Sequence, residues 1–597
     1  MKRVADYVIE KIAEAGAKHI FMVTGRGILY LSDAVAKCEN MEGVSMLHEQ
    51  GASYAAMSYA KAADGIGACL VSTGCAAANA VTGALCAYQD NLPVVFVSGQ
   101  HMLNESTRYT GVPIRTYGSQ EADIISMVEP ITKYAVMLTE AGKIVYELEK
   151  ALHLATTGRK GPVWIDIPLD LQSVMIEPDE LEHFIPESGG STISDEVIDT
   201  IAEEINLADR PVLFVGGGAS SSECKTLIHT FSEKTHIPVI FSYAGCDIYG
   251  SGNEYAIGAV NSLGAPRAGN FTLQNSDYVL VIGSKLCSQT IGDKPHLIAR
   301  DARITVVDID PNEHTKKGVH IDRHVISDAA EFLNELLKKD IKQCKDEWVN
   351  KCIHWKNIFD ISNESFTKPD ETTGRIDLYD FCNRISGKLG RRTAVITDAG
   401  LEELIVPSTI KYRDEQKCFF AAAQGAMGYA IPAIMGAHFA GYDDIVVIVG
   451  DGSVMMNIQE LQLLNYHGIK ARIFVINNDL YAVIRARQKD LFRKRTIGND
   501  STDGVPTPDF EKLAKAFGIG YHIIDSADVL DRGLDEAFGQ TGSYICEVMC
   551  KTEQRYFHTS FRKNDNGKIV RPSIEDESPF LDRELFMAEM IVEPVEI

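Results

Sequence analysis

Two apolar runs with a helix-length segment between them, Ile445 to Tyr481, constrain this chain more than any other stretch. Ile445 to Gly450 reads as a fully buried strand, and Asn457 to Gly468 carries Ile458, Leu461 and Leu464 at helical spacing. A second buried strand, Ala471 to Ile476, leads into Asn477-Asn478. A right-handed βαβ crossover ends its two parallel strands at one sheet edge, so Asp451 and Asn478 are predicted to converge. One carboxylate and one amide oxygen make half of an oxygen-rich Mg2+ site, of the kind that water and ligand phosphates complete. Gly450 and Gly452 flank Asp451 and admit the close approach of a diphosphate. Taken alone, Gly-Asp-Gly is equally compatible with an ordinary crossover turn.

At 597 residues the chain exceeds what one core supports, and strand-like and helix-like segments alternate along it. The expectation is an α/β protein of three doubly wound parallel-sheet domains, residues 1–180, 195–345 and 371–550. Residues 551–597 are expected as a C-terminal tail, wrapped on the surface and partly ordered. Pro186 to Glu196 reads as a linker, and the charged stretch Lys338 to Asp370 separates the second domain from the third. The first residues have acidic side chains and an apolar stripe through Val4, Val8, Ile12 and Ala15, a domain helix rather than a signal peptide. A net charge of −25 argues against nucleic acid or an anionic membrane as partner. No run of eighteen uncharged apolar residues marks a membrane span. Thirteen cysteines without a C-x-x-C pair, several in apolar segments as Cys69, Cys86 and Cys546 are, fit the reduced thiols of a cytoplasmic protein.

Joined to the paired asparagines at this spacing, Gly450-Asp451-Gly452 resembles the thiamine diphosphate (ThDP) and Mg2+ signature of the acetolactate synthase-like superfamily. The likeness covers nearly all of residues 1 to 550. It implies that Asp451, Asn478 and the carbonyl of Leu480 hold the metal, with Ser453 and Tyr481 beside the cofactor. Val44 to Ala62 resembles the segment whose glutamate faces the cofactor's aminopyrimidine, which makes Glu49 the cofactor activator. A carboxyl group bonded to N1′ stabilises the imino tautomer that deprotonates the thiazolium. Without that context Glu49 is a helix-starting acid at the positive end of the dipole. Thr73 and Gly74 end a buried strand and Asn79 follows in the next helix. Where the family has Gly-Pro-Gly this chain has Gly74-Cys75-Ala76, and the tight turn is expected to survive. Cys75 reads as a small packed thiol rather than a nucleophile. Gln424 to Pro432 resembles the segment whose methionine wedges beneath ThDP, giving that role to Met427 after Gly425; a core methionine is the alternative. Thr397 to Gly400 ends a strand where the family grips the diphosphate. Leu401-Glu402 replaces the family's common Gln-His there: Leu401 lacks a side-chain donor and Glu402 is expected to repel phosphate. The grip then falls to the backbone of Gly400, Gly452 and Ser453 and to the metal.

The family's aromatic-Pro-Gly-Gly loop is Val23 to Gly27 here, placing Arg26 and Gly27 at the substrate entrance. Arg26 is either a surface charge or a clamp for carboxylate or phosphate. Ser119-Gln120 stands where the family has Phe-Gln, a loss of bulk that widens the acceptor pocket. In the central domain Val215 to Ser220 with Val307-Asp308 is a weak dinucleotide signal. Acetolactate synthases hold FAD in this domain, with an Arg-Phe-Asp-Asp segment where this chain has Ser284 to Cys287; FAD is weighed against but left open. The resemblance implies decarboxylation of a 2-oxo acid, pyruvate foremost, and transfer of the acyl carbanion equivalent to an acceptor carbonyl. That acceptor is another 2-oxo acid or a keto-sugar nucleotide, since PITKYAVML, GPVWIDIPLDLQ and STGCAAANAVTG resemble proteins of bacterial surface-sugar biosynthesis. A simple decarboxylase, a non-catalytic ThDP-fold protein and an NAD-dependent dehydrogenase are the alternatives. The family's active sites lie between subunits, which implies a homodimer or homotetramer acting on small molecules.

Overall fold

A computed structural model of the chain describes all residues except 187–192, 414, 565 and 596–597. Most of the expected linker after Pro186 lies outside the described residues; its last two positions, Asp195 and Glu196, already belong to the helix Asp195–Leu207, capped by the Ser194 hydroxyl.

Three six-stranded sheets, parallel throughout, carry the architecture. The first runs in the order Glu42–Ser45, His19–Met22, Gly67–Val71, Val94–Gln100, Val163–Pro168, Tyr134–Met137. The second is ordered Ala256–Val260, Val239–Ser242, Pro211–Val215, Tyr278–Ile282, Arg303–Asp308, Arg323–Ile326. The third is ordered Lys417–Phe419, Thr393–Thr397, Asp444–Gly450, Ala471–Asn477, Tyr544–Met549, Gly520–Ile524. Inner strands such as Gly67–Val71, Pro211–Val215 and Thr393–Thr397 are buried at every position, as strands covered by helices on both faces must be.

The first helix, Val4–Glu14, buries Val4, Val8 and Ile12 as its periodicity predicts, and Ala15 falls on the exposed C-cap. The crossover between Asp444–Gly450 and Ala471–Asn477 departs from the sequence expectation. In place of one helix over 457–468 there is a 3-10 segment, Val454–Glu460, kinked at Asn457 (φ −135°, ψ 38°), then a short helix, Leu461–Tyr466. At the kink the Asn457 side chain is held from outside the crossover, its Nδ2 donating to Gln50 Oε1 (3.0 Å) and to the Gly428 carbonyl (2.8 Å).

The first and third sheets meet through the helices Glu49–Ala63 and Ala430–Phe439. A Cβ on Gly436 would overlap the Ala55 carbonyl oxygen, so the two backbones touch where glycine permits it. Ser58 Oγ donates across the same contact to the Ala433 carbonyl (2.8 Å).

Residues after 551 correct the expectation of a surface tail. Phe557 and Phe586 are fully buried, and the Glu575 and Glu577 carboxylates are at most 1% exposed. Gln274 Nε2 (2.8 Å) and Arg300 Nη1 (3.0 Å) donate to Glu575, and Arg267 Nη1 donates to the Glu577 carbonyl (3.1 Å). The segment therefore completes the central domain's core. All thirteen cysteines are free and ten are buried. Among the described residues no helix is long and apolar enough to cross a membrane.

Candidate active site

Asp451 and Asn478 leave adjacent parallel strands at one edge. Gly450 pairs with Ile476, and the Asp451 amide donates to the Ile476 carbonyl (3.1 Å). Both side chains are 5% exposed. Asp451 Oδ1 accepts from the Gly452 amide (2.7 Å) and Oδ2 from the Asp479 amide (3.0 Å), while Asn478 Oδ1 accepts from the Leu480 amide (3.2 Å). Asp479 takes a left-handed conformation (φ 64°), turning the chain from Asn478 to Leu480. The Tyr481 ring covers Gly452 so closely that a Cβ there would overlap it.

Asp398 organises the neighbouring loops. Its Oδ2 accepts from the amides of Gly428 (3.1 Å) and Ala430 (3.0 Å), its Oδ1 from Ser453 Oγ (2.8 Å) and the Ala399 amide (2.7 Å). Met427, half-buried, lies in the turn between Gly425 (φ 56°) and Gly428 (φ 85°), both left-handed. Gly400 (φ 102°) begins the helix Leu401–Thr409, and the Glu402 carboxyl lies beside both Gly400 and Gly450. Burial, then the Asp451 and Asp398 charges, push Glu402 up to about 8, which favours its neutral form over the charged one. Leu401 is buried.

Burial pushes Asp451 up to about 7 and Asp398 up to about 6. Among the described residues no basic side chain forms an ion pair with Asp451, Asp398 or Glu402. A buried carboxylate without a counter-charge is costly. The donor set of Asp451, the Asn478 amide and the Leu480 carbonyl is all oxygen, and it fits a hard divalent cation.

On the first domain, Glu49 starts the helix Glu49–Ala63, half-buried, and accepts from Asn79 Nδ2 (3.0 Å). Glu460 holds this helix start in place: its carboxylate accepts from the Leu47 amide (3.3 and 3.2 Å), and burial pushes it up to about 7. Gly74 (φ 67°) makes the tight turn its sequence predicts, and a Cβ there would overlap the Gln120 carbonyl oxygen. A Cβ on Gly27 would overlap Thr73 Oγ1. The loops bearing Gly27, Thr73, Gly74 and Gln120 thus share one sheet edge with Glu49 and Asn79. Arg26 and Ser119 are exposed on these loops, and Arg26 forms no ion pair among the described residues. Cys75 is exposed, which corrects the expectation of a packed thiol: it is the first residue of the helix Cys75–Gln89 and projects outside the core.

Three residues at the junction escaped the sequence reading. Asp398 was visible only as part of a strand-end tetrapeptide, and nothing local marks Asn457 or Glu460, whose partners lie far off in sequence.

The glycine-rich turn of the central domain is not a phosphate cradle. Gly216 N donates to the Ile282 carbonyl, Gly218 N to Gly283 (2.8 Å) and Ala219 N to Gly216 (3.0 Å). Two of those amides go to the neighbouring strand and its end and the third closes the turn on itself, and Cβ atoms on Gly216 and Gly218 would overlap the Gly283–Ser284 backbone. Lys285, in the segment that replaces the family's Arg-Phe-Asp-Asp, is tied to the Gln89 carbonyl. These glycines close against the adjacent strand end instead of opening toward a diphosphate.

Three parallel six-stranded sheets with glycine turns and an oxygen-lined crossover end mark the class of three-domain thiamine pyrophosphate enzymes. Residues 2–127, 198–336 and 398–548 match the N-terminal TPP binding domain, the central domain and the C-terminal TPP binding domain of that class in turn. The chain is 30% identical over 537 residues to the acetolactate synthase large subunit of Lactococcus lactis subsp. lactis, covering 88% of this chain and 89% of that protein. It is 29% identical to the corresponding protein of Haemophilus influenzae (89% and 92% covered) and 27% identical to acetolactate synthase 2, chloroplastic, of Nicotiana tabacum (91% and 82%). The chain belongs to the thiamine diphosphate-dependent acetolactate synthase-like family and is a ThDP-dependent enzyme of the carboligase type.

Proposed function

We propose that this enzyme decarboxylates a 2-oxo acid, pyruvate foremost, and transfers the acyl unit to an acceptor carbonyl with Mg2+ and ThDP bound. The observation that carries this is the convergence of Asp451, Asn478 and Leu480 at a buried strand edge flanked by Gly400, Gly450 and Gly452. When bound, ThDP supplies an electron sink for the carbanion left as CO2 departs. Asp451, Asn478 and the Leu480 carbonyl would hold the cation, and the diphosphate would lie at the turns of Gly400, Gly452 and Ser453, where it would take over the Gly452 and Ser453 amides that here donate to Asp451 Oδ1 and the Gly450 carbonyl. Met427 and Tyr481 would flank the cofactor. Glu49, oriented by Asn79, would meet the aminopyrimidine ring with its carboxyl group. Thr73 and Gly74 shape the wall beside it. Arg26, Gly27, Ser119 and Gln120 face the substrates, with the unpaired Arg26 guanidinium suited to a carboxylate.

A homodimer or homotetramer is part of this reading. Leu47, Met455 and Met456 leave apolar surface beside the Glu49 helix start, which a second copy would cover. The domain limits follow as 1–180, 195–345 and 371–550 with a closing segment 551–597, in a cytoplasmic protein.

The test is to incubate the purified enzyme with ThDP, Mg2+ and 13C-pyruvate together with a set of acceptors, and to follow CO2 release and labelled product. No consumption of pyruvate or any other 2-oxo acid would sink the proposal.

A further inference from the structure

Immediately after Tyr481 the chain departs from its overall acidity. From 485 to 495 it carries Arg485, Arg487, Lys489, Arg493, Lys494 and Arg495 against the single acid Asp490. Two of these cations are engaged, Arg485 with Asp500 (3.2 Å) and Lys489 with Glu553 (2.5 Å). The other four are exposed and make no ion pair or side-chain hydrogen bond among the described residues. Unpaired cations in a chain of net charge −25 have abundant acids to meet, so four left together mark a place kept for an external anion.

The strip is built rather than frayed. Gln488 accepts from the Ile497 amide (2.8 Å) and from Asn499 Nδ2 (2.9 Å), and the Asn499 carbonyl accepts from the Tyr481 amide (2.8 Å). This ties the turn back to the residue that covers Gly452. Arg493 (φ 54°) and Lys494 (φ 69°) are consecutive left-handed residues, a strained arrangement for side chains with Cβ atoms. Phe492, half exposed, stands next to them. The helix Ala482–Leu491 sets this turn about 15 Å along from Tyr481, a span that a three-carbon acid does not bridge and an elongated acceptor does.

Resting on the carboligase reading above, we propose that Arg487, Phe492, Arg493, Lys494 and Arg495 bind the nucleoside diphosphate part of the acceptor substrate. The guanidinium and ammonium groups take the diphosphate oxygens and the Phe492 ring takes the base. A nucleic-acid polymer is disfavoured because the strip is short and the surrounding chain is acidic.

The probe is uridine diphosphate, titrated into enzyme saturated with ThDP and Mg2+. Binding is expected to weaken with rising salt, and to fall about tenfold or more in Arg493→Gln/Lys494→Gln/Arg495→Gln. Arg493→Gln and Phe492→Ala, each alone, give smaller losses should the triple variant not fold, which its Tm reports. Equal uridine diphosphate affinity in wild type and variants, or none in wild type, overturns the assignment. So does tighter binding to single-stranded DNA or to anionic lipid vesicles than to uridine diphosphate. Pyruvate consumption without acceptor is read in parallel: its loss in wild type indicts the carboligase reading, whereas its retention with no nucleotide binding indicts the strip alone.

Discussion

Glu49 and Asp451 illustrate two ways in which a carboxylate is set apart. Asp451 is sealed at a strand edge with no ion-pair partner among the described residues, and Glu49 stays half-buried with one amide partner. Glu49→Gln keeps the shape and replaces the acid by an amide that cannot exchange a proton, so turnover is expected to fall at least a hundredfold, on the general acid–base scale, while ThDP affinity measured by fluorescence quenching stays near wild type. An unimpaired variant removes Glu49 from the chemistry. A second expectation concerns pH. Burial raises Glu403 to about 8 and Glu460 to about 7. Between the ordinary carboxylate range and these values the native chain holds protons that the unfolded chain has released, so stability falls as pH rises through that window. The Tm of the apoprotein should drop from about pH 5 to about pH 8, and Glu460→Gln should flatten the drop; an unchanged slope would show that Glu460 does not titrate there. Asp451 and Asn478 were legible in sequence because strand, turn and spacing are local. Glu460 and Asp398 were not, because their roles consist of backbone amides delivered from Leu47, Gly428 and Ala430.

At the scale of elements, parallel strands announced themselves as continuous apolar runs, and the crossover strands match their expected limits to within a residue. The crossover helix was misread because Ile458, Leu461 and Leu464 do keep helical spacing while the Asn457 amide is drawn across to Gln50 and Gly428. Tertiary hydrogen bonds outweighed a weak local propensity there. The contact between Glu49–Ala63 and Ala430–Phe439 depends on Gly436, where a methyl group meets the Ala55 carbonyl. Gly436→Ala is expected to cost about 1–3 kcal/mol by overpacking, seen as a lower denaturation midpoint with unchanged slope. Wild-type stability in that variant would mean the helices separate without penalty.

For the whole molecule the decisive question is which copies share a site. If Glu49 of one chain serves Asp451 of another, two inactive variants, Glu49→Gln and Asp451→Ala, regain activity on unfolding and refolding together. Random pairing restores about a quarter of wild-type sites, because half the dimers are mixed and each mixed dimer holds one intact site. Recovery of none, with mixed dimers verified by mass spectrometry, places each site within a single chain.

The segment from Phe557 to Val592 gives the molecule an order in time as well as a shape. Arg267, Asn270, Gln274 and Arg300 belong to the central domain, yet their partners Ile574, Glu575 and Glu577 emerge from the ribosome more than two hundred residues after the last strand of that sheet. The central domain must therefore wait, with buried-to-be arginines still wet, while the entire third domain is synthesised. A product lacking this segment would keep all three sheets but leave Arg267, Asn270, Gln274 and Arg300 without these partners.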